Sequence, residues 1–107
     1  MSVKRYVLMF NATAASTSRW YEFDFRYDHA PFRTINVNLA SGDTVTIEAT
    51  TYDIKGQDIN QLTVPADEIV TLKTYTSSGE DVIQGPWAAI RVVKEGTAGN
   101  AKVDGII

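Results

Sequence analysis

At 107 residues, 44% hydrophobic and 21% charged, the chain has the length and composition of one globular domain with a single core. A formal net charge of −3, with no run of Lys or Arg, excludes the basic footprint that nucleic-acid binding needs. The absence of cysteine excludes disulfide staples and thiolate zinc sites, so packing and sheet hydrogen bonds must hold the fold.

From the start of the chain, Val3 to Phe10 is rich in β-branched and aromatic residues and predicts a first strand, apolar on both faces after Arg5 and expected to be buried on both. The apolar run behind Lys4 and Arg5 is shorter than a signal-peptide core, so no cleaved leader is expected. No stretch approaches the roughly 18 apolar residues of a membrane span. Residues 11–18, polar and small, predict a loop. Its Asn11-Ala12-Thr13 matches a glycosylation sequon, a tripeptide that recurs by chance.

From Arg19 to Tyr27 the alternation is strict, with Tyr21, Phe23, Phe25 and Tyr27 on one face and Glu22, Asp24 and Arg26 on the other. Trp20 shares the polar parity and is expected to be exposed or interfacial. Pro31 ends the pattern. Thr34 to Ala40 alternates again, with Ile35, Val37 and Leu39 inward. Ser41-Gly42-Asp43 turns the chain into a strand with Val45, Ile47 and Ala49 inward, and the two strands are expected to pair as a hairpin.

Asp53 to Asp58 predicts a loop and Ile59 to Val64 a short strand. Pro65-Ala66-Asp67-Glu68 predicts a turn, with Pro placed to open one turn of helix. Ile69 to Thr76 is a strand and residues 77–81 a turn. Val82 to Gln84 and Trp87 to Lys94 flank a bend at Gly85-Pro86. Residues 85–107 predict a C-terminal hairpin turning at Glu95 to Asn100, with Ala88, Ile90 and Val92 inward and Arg91 outward.

About eight short strands at this spacing predict a single all-β domain over residues 1–107. The expected architecture is an antiparallel β-sandwich with jelly-roll or related Greek-key topology. The connections are too short for parallel crossovers.

No reaction is written in the residues. His29 is the sole histidine, and with no Cys a zinc site would have to be mostly carboxylate. The acidic residues Asp43, Asp53, Asp58, Asp67, Glu68, Glu80 and Asp81 are scattered over turns, without the spacing of a calcium loop. Glu22 and Asp24, roughly 6–7 Å apart along a strand, have the separation of a glycosidase pair but better fit an outer sheet face. Neither a nucleophile elbow, a phosphate loop nor a dinucleotide fingerprint occurs. The expectation is a non-enzyme without cofactor or metal. The aromatics Trp20, Trp87, Tyr21, Tyr52 and Tyr75 are candidates for a sugar-stacking platform. Trp20, Arg19 and Arg26 fit a protein interface equally well.

The run from Gly85 to Ala101, GPWAAIRVVKEGTAGNA, resembles the pattern G-P-aromatic-x-x-I-R-V-x-K-x-G-T-A-G-x-A found near the C-terminus of small β-sandwich virion proteins of tailed bacteriophages, the capsid decoration or cement type. Elsewhere the likeness is one of size, of Thr/Ala/Asn-rich style and of the early Arg-Trp-Tyr segment. The resemblance implies a virion structural protein without an active site, assembled in the bacterial cytoplasm. It implies a homotrimer that docks on the major capsid protein and stabilises the shell through interfaces of about 1,200–2,000 Å² each. The residues expected to make that contact are Arg19, Trp20 and Arg26, with Met1, Ser2, Val3, Lys4 and Arg5 as a docking arm. A fibre or spike subunit and a carbohydrate-binding module are the alternatives.

Overall fold

In the computed structural model, residues 6–23, 33–52 and 63–106 are described. Strands form over most of the described segments that alternate apolar with polar. There are nine among the described residues: β1 (Tyr6–Ala12), β2 (Ser16–Thr17), β3 (Tyr21–Glu22), β4 (Arg33–Asn38), β5 (Thr44–Thr50), β6 (Val70–Tyr75), β7 (Gly79–Ile83), β8 (Ala89–Glu95) and β9 (Ala101–Ile106). Of the run expected from Arg19 to Tyr27, only Tyr21–Glu22 is a described strand, and residues 24–27 lie outside the described residues. One 3₁₀ turn, Ala66–Glu68, follows Pro65, as that residue's fixed φ favours.

The strands form two antiparallel sheets. The first has the order β1-β9-β4-β7; the second has β2-β8-β5-β6, with β3 also paired to β8. Ser16 and Thr17 pair with Lys94 and Val93, and Tyr21 and Glu22 pair with Ile90 and Ala89, so β2 and β3 are two pieces of one interrupted strand. Counted that way, the orders become 1-8-3-6 and 2-7-4-5. This is the jelly roll, and the expected fold class holds.

The inner faces interdigitate. Ile35 and Val37 of β4, Val45, Ile47 and Ala49 of β5, Ile90 and Val92 of β8, and Ala101 and Val103 of β9 are all buried in one core with Met9, Phe10 and Phe23. In β1 a register shift between Leu8 and Phe10 turns both Met9 and Phe10 inward.

Both expected hairpins are corrected. β4 and β5 lie in different sheets, and so do β8 and β9. Their connections cross the sandwich as corners. Strands facing each other across a core and strands pairing side by side show the same inward alternation, so the pattern does not separate the two. Four further expectations shift. Within the loop expected over residues 11–18, Asn11 and Ala12 extend β1 and Ser16–Thr17 form β2. β1 is not apolar-buried on both faces, because Tyr6 and Leu8 are exposed. The strand expected from Val82 begins at Gly79; of the strand expected over Ile59 to Val64 only Thr63 and Val64 are described, neither in a strand, and residues 59–62 lie outside the described residues.

The corners are tied together at one end of the sandwich. The fully buried Lys94 ammonium lies 3.2 Å from the Asp43 carboxylate and donates to the carbonyls of Thr13 (2.7 Å) and Gly96 (2.5 Å). Asp43 in turn accepts the backbone N–H groups of Ala98 (2.9 Å) and Gly99 (3.1 Å). These bonds, that from Ala98 first, hold its carboxyl below the usual aspartate range against the opposing effect of burial, with Lys94 adding to them. Gly96, at φ +90°, passes so close to Asp43 that a Cβ there would collide with its carboxylate.

Candidate interaction face

Each strand of the first sheet sends alternate side chains outward, and the register aligns them in rows. One row is Tyr6, Ile106, Thr34 and Val82; the next is Leu8, Asp104, Asn36 and Glu80. Six large hydrophobics are exposed among the described residues. Four of them, Tyr6 (60%), Val82 (57%), Leu8 (45%) and Ile106 (37%), belong to these two rows. Isolated exposed apolar side chains are ordinary; a cluster on one sheet face marks an interaction surface. A shallow groove of about 580 Å³ runs over this face.

Polar contacts fix parts of the surface. The Tyr6 hydroxyl donates to Asp104 Oδ2 at 2.5 Å, and Lys102 lies 3.7 Å from the same oxygen. The carboxylate acceptor, with smaller effects of desolvation and of its charge, raises the Tyr6 pKa and keeps the phenol protonated, leaving the ring exposed. At the β7 edge, Asp81 turns instead toward β6, where it accepts from Tyr75 (2.8 Å) and Lys73 (2.5 Å). The Lys73 bond, then that from Tyr75, lowers the Asp81 pKa; burial, then Asp81, pushes the Tyr75 phenol well up. This cluster clips the two sheets together along their edge.

The second sheet has a different outer surface. Trp20 falls on its outer side, as its parity predicts, yet it is only 3% exposed and its expected exposure is corrected. Val64 and Ile69, flanking the 3₁₀ turn, pack with Ala89 against it. The Arg91 guanidinium lies 4.7 Å from the Trp20 ring and donates to Glu48 at 2.7 Å. A connection distant in sequence roofs this indole, and local alternation carries no signal of it.

Arg19 is exposed but stacks on Tyr21, 4.3 Å from its ring centre, so it and Trp20 do not form one contact surface. Trp87 is half-buried against the main core and donates its Nε1 hydrogen to the Gln84 carbonyl. A stacking platform built on Trp20 and Trp87 is therefore not presented. Met1, Ser2, Val3, Lys4, Arg5 and Arg26 lie outside the described residues, as do Asp24, His29, Asp53 and Asp58.

Sequence reasoning missed the outer face of the first sheet. A partial signal exists in β9, where Ile106 shares its parity with Lys102 and Asp104, and in β7, where Val82 shares it with Glu80. An apolar residue in a polar series is an outward one.

Among the described residues no group of three or more His, Cys, Asp or Glu side chains is placed to hold a metal ion, and no helix is long and apolar enough to cross a membrane. Compared with protein-family models, with curated proteins and with solved structures, the chain matches none.

Proposed function

We propose that this chain is a non-catalytic virion structural protein, a capsid decoration protein that seats the outer face of its first sheet on the major capsid protein and braces the shell. The observation that carries the docking role is the concentration of Tyr6, Leu8, Val82 and Ile106 on that one face. A four-stranded surface of this kind presents apolar area at little conformational cost, because the strands are already ordered. The assignment to a virion is supported by the resemblance of residues 85–101 to phage decoration proteins, and a homotrimer is the form proposed for the shell.

Val82 is more than half exposed, so Val82→Asp leaves the core untouched while placing a charge in the apolar row. Purified protein should co-sediment with empty expanded capsid shells and raise their resistance to heat, and Val82→Asp should lose both effects with its thermal unfolding unchanged. Absence of co-sedimentation by the unmodified protein, with shells no weaker in its absence, rejects the reading.

A further inference from the structure

We propose that the element seated on the outer face of the first sheet is an amphipathic helix with a Lys- or Arg-bearing flank, lying across the strands. The inference rests on the reading of this face as the docking surface and adds the chemistry of what it receives.

The two outward rows run parallel. Neighbouring strands are about 4.8 Å apart, so the row from Tyr6 through Ile106 and Thr34 to Val82 is about 14 Å long; the row with Asp104, Asn36 and Glu80 lies about 6.7 Å beside it. The first row is mostly apolar. The second runs from the exposed Leu8 through the buried Asp104 and the exposed Asn36 to the exposed Glu80 carboxylate. A rod laid along the rows must offer apolar groups over the first row and Leu8, and a donor or positive charge over Asn36 and Glu80. A helix about 10 Å wide covers both, and about ten residues span the row. This is the helix-in-groove mode, with an apolar stripe as anchor.

Charge complementarity selects the basic flank. Glu80 is exposed and has no side-chain partner among the described residues. Asn36 beside it offers an amide, and Asp104 is held by Tyr6 and Lys102. Lys102, the cation on the described part of this face, is already turned to Asp104. A second copy of the chain in face-to-face contact would bring a second exposed Glu80 and the chain's net charge of −3 against the first without supplying a free cation on the described part of this face, which disfavours self-pairing here.

The test uses the full chain, labelled with nitrogen-15, and two synthetic amphipathic peptides of about 15 residues. One has a leucine stripe bordered by lysines; its twin has glutamate at every lysine. The lysine peptide should shift the amide signals of Tyr6, Asn36, Glu80, Val82 and Asp104 and bind at least about tenfold more tightly than its twin. Raising the salt to about 1 M, where the Debye length falls to roughly 3 Å, should erase most of that preference. Glu80→Lys should weaken lysine-peptide binding about two- to fivefold with the rest of the spectrum unchanged. Equal binding of the two peptides, shifts located on another surface, or concentration-dependent shifts of this face without peptide each overturn the proposal, the last by showing that a second copy is the occupant. Because the assay contains no capsid, a positive peptide result with negative shell binding removes the virion role alone. Shell binding without peptide preference removes the helix alone.

Discussion

Lys94 is the side chain on which the sandwich end depends most. It is fully buried, its charge is answered by Asp43, and its remaining donors go to carbonyls of two different connections. Removing one partner of such a pair leaves an uncompensated group, so Lys94→Ala is expected to lower stability by about 3–5 kcal/mol, read from urea unfolding with an unchanged m-value. Asp43 sets an acid limit. Its folded pKa lies below the unfolded value, so its stabilising contribution is present above the ordinary carboxylate range and is lost as the pH falls through the folded pKa. Asp81 acts in the same direction. Thermal melts below about pH 4 should therefore fall steeply in the unmodified protein, and Asp43→Asn should flatten that limb while lowering stability at neutral pH. Tyr6 and Tyr75 have the opposite sign: with folded pKa values raised, their contribution holds below about pH 10 and is lost as the pH rises through the folded values. Trp20 gives the sharpest separation of structure from binding. Trp20→Ala should cost about 3–5 kcal/mol because the indole is buried, whereas an interfacial Trp20 would leave the melting curve nearly unmoved.

At the scale of elements, the corners matter more than the strands they join. β4 to β5 and β8 to β9 each leave one sheet and enter the other within a few residues, and Asp43 on the first corner binds the backbone of the second. Gly96 makes that contact possible through its positive φ and its missing Cβ. Gly96→Ala is expected to destabilise by more than about 1 kcal/mol, measured by chemical denaturation, with Gly79→Ala as control because a Cβ there meets only the Tyr75 ring at ordinary contact distance. Turn residues such as Ser41-Gly42-Asp43 and Gly96 to Asn100 mark where the chain reverses. They do not state whether it reverses within a sheet or across one, since that depends on which strand lies alongside. For β4 those neighbours are β7 and β9, far along the chain.

For the whole molecule, that topology has a kinetic consequence. Apart from the β2–β3 interruption, only β5 and β6 are neighbours both in sequence and in a sheet among the described strands; every other pairing joins distant segments. Loop-closure entropy must be met before such contacts form, so refolding followed by Trp fluorescence should take milliseconds to seconds. Microsecond refolding would contradict the pairing pattern. The alternation of apolar and polar residues at period two was enough to establish an all-β sandwich, the inward set of β4, β5 and β8, and the outward direction of Arg91, because those properties follow from single-strand geometry. It also placed Trp20 on the outer side of its strand. Only the tertiary structure decided that a remote connection covers Trp20 while the outer face carrying Tyr6, Leu8, Val82 and Ile106 stays open. Burial of a sheet's outer face depends on what else in the chain reaches it, a property of long-range packing that no local pattern encodes.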